Sequence, residues 1–114
     1  MAVTVEYTFT FEQTTELAIG HFAEYKSEQQ TLDKIDSVLE RFEEKVRIDP
    51  YIYSRSQSLL EIGITEVREA NIDGMRLLYE VEERGDDRVV TGLVLLSLKQ
   101  HVETQLVNYC LIYK

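Results

Sequence analysis

Alternating apolar and polar residues open the chain. From Val3 to Phe11 every odd position is apolar and every position between is polar, a period of two that predicts a half-buried β-strand. Thr10 and Gln13 then have the spacing of a helix capping box. Residues at alternating four- and three-residue steps follow and predict a first helix: Phe11, Thr15, Ala18, Phe22 and Tyr25.

A second helix is predicted directly after the first. Ser27 and Gln30 repeat the capping-box spacing, and Asp49-Pro50 ends the pattern because the residue before a proline disfavours helical geometry. Five apolar residues form the stripe between these signals: Leu32, Ile35, Leu39, Phe42 and Val46. Two helices joined by about two to four residues form an antiparallel helical hairpin.

The segment from Ile62 to Glu83 is predicted to be a β-hairpin. Asp73-Gly74 supplies its turn, since both residue types tolerate a positive φ. Alternate residues of its second strand face the core, namely Met75, Leu77, Tyr79 and Val81, and the others face away, namely Arg76, Leu78, Glu80 and Glu82. The stretch before the hairpin, from Tyr51 to Ser58, is predicted to be a loop.

The hairpin register has two readings. A two-residue turn places Arg68 opposite Tyr79 on the core face, whereas a three-residue loop with Gly74 in a bulge places Arg68 on the same face as Arg76. Because an unpaired buried arginine is costly, the second register is favoured.

The apolar run from Val89 to Leu98 is long enough for a central strand. The remaining residues return to helical spacing: Val102, Leu106, Tyr109, Cys110 and Tyr113. The predicted fold is therefore α/β (α+β), with the order β-α-α-β-β-β-α. Its twisted, largely antiparallel sheet carries the helical hairpin on one face.

Composition narrows the class of protein. The 114 residues suit one domain, 1–114, with 44% hydrophobic and 29% charged residues. No stretch is long enough to cross a bilayer and no signal peptide is evident, so we expect a cytoplasmic protein. The lone Cys110, with only His21 and His101, offers no metal-ligand spacing, so we expect neither metal nor cofactor.

Net charge restricts the partners. The chain carries a formal charge of −9, whereas non-specific nucleic-acid binding depends on lysine and arginine neutralising phosphates. Any phosphate-binding site must therefore be small and local.

The order of elements resembles the RelE/ParE toxin superfamily over nearly the whole chain. The most specific part is the segment Gly74-Met75-Arg76-Leu77-Leu78-Tyr79-Glu80-Val81, which is similar to the family's glycine, arginine, two aliphatics and tyrosine. Val67-Arg68 precedes it, where the family often has a second arginine.

The resemblance implies a toxin of a type II toxin-antitoxin module. In the nuclease branch, which cleaves messenger RNA on the ribosome, Arg76 would be the cation that stabilises the phosphate, with Arg68 beside it. Lys99 and His101 would be the acid and base candidates, and the alternative reading of both is solvated surface. The branch that acts on DNA gyrase needs no nuclease residues, so whether the chain is an enzyme stays open.

The resemblance also implies a cognate antitoxin as protein partner. The outward face with Arg76, Leu78 and Glu80 mixes an aliphatic side chain with charges, as the rim of a protein interface does. Since this chain is acidic, the expected antitoxin is basic or binds through apolar contacts. The alternatives are a non-catalytic binding module with the same fold and a small homodimer.

Overall fold

The structure, a computed structural model, describes residues 2–22 and 27–97. Seven elements lie in these ranges: β1 (Val3–Tyr7), α1 (Phe9–Phe22), α2 (Glu28–Ile48), α3 (Gln57–Leu60), β2 (Val67–Ile72), β3 (Met75–Arg84) and β4 (Asp87–Ser97). The predicted final helix lies outside the described residues. No helix in the described ranges is long and apolar enough to cross a membrane.

The first strand is shorter than its alternation predicts. It ends at Tyr7, and α1 begins at Phe9. The Thr8 hydroxyl accepts a hydrogen bond from the backbone N–H of Phe11 at 3.0 Å, so Thr8 rather than Thr10 caps the helix. The prediction of a strand up to Phe11 was wrong because Phe9 and Phe11 fit both a period of two and the first turn of a helix.

The second helix has the predicted cap and core stripe. Ser27 Oγ accepts from the backbone N–H of Gln30, and the Gln30 side chain accepts from the backbone N–H of Ser27. The helix ends at Ile48, directly before Asp49-Pro50. Its buried residues include Ile35, Phe42 and Val46, which pack with Phe11 and Ala18 of α1 on the sheet.

The sheet has four strands in the order β1-β4-β3-β2. β1 pairs with β4 in parallel, while β3 pairs antiparallel with both β4 and β2. The largely antiparallel sheet and the helical hairpin on one face are confirmed. Gly92 of β4 is required by the packing at this junction, because a Cβ there would lie 2.6 Å from Cδ1 of the Tyr7 ring.

The opposite face of the sheet is also covered. Leu78 of β3 and Val94 and Leu96 of β4 are buried there with Leu59 and Val67. Leu59 belongs to α3, a one-turn helix. This helix begins at Gln57, near the end of the segment from Tyr51 to Ser58 that was predicted to be a loop. Four residues are too few for a helical period to show.

Candidate functional site

Arg76, the predicted phosphate cation, is held by a carboxylate of the neighbouring strand. Its Nε donates to Glu69 Oε2 at 3.1 Å and its Nη2 donates to Glu69 Oε1 at 2.9 Å. The two side chains are only 17% and 12% exposed. This bidentate geometry is the strongest form of an arginine-carboxylate pair, so the positive charge of Arg76 is compensated within the chain.

Two serines extend this ion pair towards α3. Ser56 Oγ donates to Glu69 Oε1 at 3.0 Å, and Arg76 Nη2 donates to Ser58 Oγ at 3.5 Å. Ser56 is itself buried and directly precedes α3. The network therefore fastens α3 onto the β2-β3 hairpin, which is a structural task for Arg76.

Arg68 lies on the other face of the sheet. It pairs directly with Tyr79, and its Nη1 donates to the backbone oxygen of Tyr53 at 2.7 Å and of Tyr51 at 3.4 Å. Its guanidinium also lies 5.0 Å from the centre of the Tyr51 ring. Arg68 thus holds the 51–53 segment against the helical face of the sheet.

The favoured hairpin register was therefore wrong, and Arg68 and Arg76 do not share a face. Asp73 and Gly74 have φ values of 49° and 81°, so they form a two-residue turn that pairs Ile72 with Met75. The cost assigned to an unpaired buried arginine does not arise, because the Arg68 guanidinium donates hydrogen bonds to backbone carbonyl oxygens. The Asp-Gly pair was the sequence signal for the correct register.

Leu78 was expected on an exposed partner-binding surface and is instead fully buried. That expectation was wrong because a second apolar layer covers the face on which Leu78 lies. Glu80, on the same face, is half-buried. Of the three residues predicted to contact a partner, Arg76 and Leu78 both have structural partners within the chain.

The remaining predicted site residues lie outside the part of the chain that the structure describes. Lys99 and His101, the acid and base candidates, lie outside the described residues, as do Cys110 and the final tyrosines. Within residues 2–22 and 27–97, no group of three or more histidine, cysteine, aspartate or glutamate side chains is arranged to hold a metal ion.

Tyr79 links the hairpin to the end of α2. Its ring is buried at 5.1 Å from the Phe42 ring in an edge-on arrangement, and its hydroxyl donates to the backbone oxygen of Pro50 at 2.9 Å. Burial raises the pKa of the Tyr79 hydroxyl to about 12. The tyrosine of the family-like segment is therefore a neutral core residue that positions the chain after α2.

Replacing Tyr79 by phenylalanine should cost about 1 kcal/mol at neutral pH through the lost hydrogen bond. Since the folded-state pKa is raised, the unfolded chain releases this proton first, and the contribution of Tyr79 to stability falls as pH rises from its ordinary pKa of 10.0 to about 12. The gap in urea midpoint between wild type and Tyr79→Phe should therefore narrow from neutral pH to that window. A gap that stays constant would contradict burial of the hydroxyl.

Comparison with known proteins gives an informative similarity to a solved structure. No protein-family model matches the chain, and no curated protein matches it. Among solved structures, the chain is similar to a chain of the chromosomal ParDE toxin-antitoxin system from P. aeruginosa, with 10% sequence identity and a TM-score of 0.66. The match covers 86% of this chain and 98% of that chain.

This chain has a RelE/ParE-like fold. The resemblance stated from the Gly74 to Val81 segment is confirmed at that level. The similarity is in the path of the backbone, whereas the chemistry of a site depends on this chain's own side chains. On the RelE/ParE-like sheet, Arg76 and Arg68 lie on opposite faces and each binds acceptors within the chain.

Proposed function

We propose that this chain is the toxin of a type II toxin-antitoxin module, that it acts through protein contacts rather than by cleaving RNA, and that a cognate antitoxin binds it. The fold supports membership of such a module. The observation that carries the mechanism is the bidentate ion pair between Arg76 and Glu69.

A phosphate-cleaving site needs a cation whose charge is available where negative charge develops. At Arg76 the Glu69 carboxylate already occupies the position that a phosphate would need, because both Glu69 oxygens lie within 3.1 Å of guanidinium nitrogens. A phosphate approaching this guanidinium would also meet the Glu69 carboxylate, and repulsion between the two anions would offset its attraction to Arg76.

The overall charge supports the same conclusion. At −9 the chain repels nucleic acid at long range, and binding messenger RNA would require a local excess of lysine and arginine. A protein target, of which DNA gyrase is the example that the resemblance suggests, makes no such demand. Binding between proteins depends on shape and on local complementarity.

The first test is growth. Expression of the chain alone in a bacterium should stop growth. Co-expression of the product of the adjacent reading frame should restore growth, and that product should co-purify with the chain. Absence of both effects would favour a non-toxic binding or dimerising domain with the same fold.

The second test separates the mechanisms. The double variant Glu69→Gln/Arg76→Gln removes both charges together and leaves no unpaired ion, so growth arrest should persist once circular dichroism shows a folded chain. A nuclease using Arg76 would instead lose on the order of 10²-fold in cleavage of ribosome-bound messenger RNA. Such cleavage by the wild type, abolished in the folded double variant, would overturn the proposal.

A further inference from the structure

β1 is the strand at one edge of the sheet, and β4 lies on its inner side. The N–H of Arg88 donates to the backbone oxygen of Ala2 at 2.8 Å, and the N–H of Thr8 donates to that of Gly92 at 3.0 Å. On either side of β1 the bonds to β4 are therefore made by even-numbered residues. Because successive residues of a strand direct their backbone groups to opposite sides, the odd-numbered residues of β1 direct theirs away from the sheet.

This outward edge is open along the whole of β1. Its backbone groups belong to Val3, Val5 and Tyr7, and within the described residues no other backbone group bonds to them on this side. The printed side-chain contact is a 3.4 Å hydrogen bond from Arg47 Nη1 to the backbone oxygen of Val3. In this part of the chain, Val5 and Tyr7 therefore leave both their N–H and their oxygen for a further strand.

The side chains of β1 alternate between the two faces of the sheet. Val3, Val5 and Tyr7 pack against the core on the helix side, whereas Thr4 and Glu6 are exposed on the opposite face. Residues that lie directly opposite each other on neighbouring strands have their side chains on the same face. Every second side chain of an added strand would therefore lie on the helix side.

One side of α2 is acidic. Asp36, Glu40, Glu43 and Arg47 follow one another at steps of four, three and four residues, which places them on one side of the helix at 3.6 residues per turn. They line a groove with a volume of about 420 Å³, called here the acidic groove.

The acidic groove borders β1 on the helix side. Arg47, at one end of its lining, donates to the oxygen of Val3. Burial raises the pKa of the Tyr7 hydroxyl, and the neighbouring Glu43 carboxylate raises this pKa further. Leu39, another residue of the lining, packs against the same core as the apolar side chains of β1. A strand added to β1 would thus have its helix-side residues next to the acidic groove.

The charge of the acidic groove favours a basic occupant. The carboxylates of Asp36, Glu40 and Glu43 lie with a single guanidinium, that of Arg47, which forms an ion pair with Glu43 at 3.3 Å. Within the described residues neither Asp36 nor Glu40 forms an ion pair. Glu44 is a fourth carboxylate in the lining, and the excess of negative charge does not depend on it.

A second copy of this chain is a poor occupant of the edge. Pairing of two β1 edges would bring the acidic sides of two α2 helices together, and with them the exposed Glu6 of each copy. Each copy carries a net charge of −9, and like charges that face each other across an interface oppose binding. Lysine and arginine side chains would instead complement both faces of the edge.

We propose that the edge of β1 binds an extended, basic segment of a protein partner. The segment pairs antiparallel with β1, the more stable arrangement per residue, and bonds to the backbone of Val5 and Tyr7. Its helix-side cations reach Glu40 and Glu43. Main-chain bonds of this kind supply affinity while alternate side chains supply specificity. The edge is a property of the surface and does not depend on toxicity; if the chain is the toxin proposed above, the antitoxin is the partner expected to supply the segment.

Amide hydrogen exchange, followed by NMR on the purified full chain, tests the edge directly. The probe is an eight-residue peptide of alternating lysine and valine. In the free chain the amides of Val5 and Tyr7 should exchange rapidly, and saturating peptide should slow them by about tenfold or more because they become hydrogen-bonded. The amides of Thr4 and Glu6, which face β4, are the internal control and should be protected with and without peptide.

The affinity of the same peptide, carrying a fluorescent label, separates the acidic groove from the overall charge. Glu40→Lys should weaken binding by about tenfold or more, because it reverses a charge that faces the ligand. Glu61→Lys is the matched control: it makes the same change in net charge, but Glu61 follows α3, which precedes β2 at the far edge of the sheet. Its effect should stay below about threefold, since distant exposed charges are largely screened.

Two N-methylated peptides separate edge pairing from charge attraction. In the proposed pairing the lysines lie opposite the odd-numbered residues of β1, so their N–H groups face β1 and those of the valines point away. N-methylation of the lysines removes the pairing donors and should weaken binding by about tenfold or more. N-methylation of the valines leaves these donors and all charges in place, so its effect should stay below about threefold.

Four results would overturn the proposal: amides of Val5 and Tyr7 that are already protected in the free chain, equal effects of Glu40→Lys and Glu61→Lys, valine methylation that weakens binding as much as lysine methylation or more, or no binding of the peptide to a folded chain. Because growth is not measured here, absence of binding by a chain that arrests growth would reject the edge site alone. Binding by a chain without toxicity would reject only the toxin assignment.

Discussion

Replacing Leu78 by glutamate should unfold the chain. The Leu78 side chain is fully buried with Leu59, Val67 and Val94. Removing a buried leucine side chain typically costs about 2–5 kcal/mol, and placing a carboxylate among apolar side chains adds to that cost. Because small domains have total stabilities of about 5–15 kcal/mol, we expect loss of the cooperative urea transition or a large fall in its midpoint.

Leu17→Glu provides the matched control. Leu17 lies on α1 and is 51% exposed, so the same substitution removes little buried surface and should change stability by less than about 1 kcal/mol. A Leu78→Glu chain with a near wild-type midpoint would show that Leu78 is on the surface, as the alternation along β3 suggests when taken alone. Loss of partner binding by Leu78→Glu must therefore be interpreted together with its stability.

Replacing Glu69 by alanine should be the next most damaging change at the site. It leaves the Arg76 guanidinium, which is 17% exposed, without its carboxylate partner. Breaking a fully buried pair costs about 3–5 kcal/mol, and the partial exposure of Arg76 reduces our expectation to about 2–3 kcal/mol, measured as the free energy of unfolding in urea.

A double-mutant cycle isolates the ion pair. Arg76→Ala/Glu69→Ala should cost less than the sum of the two single changes, because neither charge is then left alone. The Glu82-Arg84 pair on the same hairpin is the control, since both side chains are more than half exposed and water screens their attraction. Equal coupling in the two cycles would mean that the Arg76 pair does not hold α3 to the sheet.

The Arg76 and Glu69 variants also distinguish a structural role of Arg76 from a catalytic one. If Arg76 is a structural residue, toxicity should follow stability across the variants and recover in the folded double variant. A catalytic Arg76 predicts the opposite, namely loss of activity in every variant that lacks the guanidinium.

Local sequence patterns were sufficient to predict α2 and the hairpin turn. The capping box at Ser27, the apolar stripe and the stop before Pro50 all act within a few residues of one another, so sequence contains the whole signal. The same holds for Asp73-Gly74, whose positive φ values are a property of the two residues themselves. There the sequence signal was correct, and the argument from the cost of a buried arginine misled the choice of register.

Two features depended on contacts between distant parts of the chain. β1 ends at Tyr7 where it joins β4 in parallel, with Val3 beside Arg88, and no local period reports such a pairing. Leu78 is buried because a distant segment that includes Leu59 forms a second layer on the sheet. Alternation along a strand separates the residues of its two faces but does not predict what covers each face.

The roles of the arginines were decided in the same way. Sequence alone determined that Arg68 and Arg76 lie on one hairpin within a RelE/ParE-like order of elements. Only the tertiary structure placed the Tyr53 carbonyl against Arg68 and the Glu69 carboxylate against Arg76. The physical reason is that the availability of a charge depends on its neighbours in space, and neighbours in space are set by the fold rather than by adjacency along the chain.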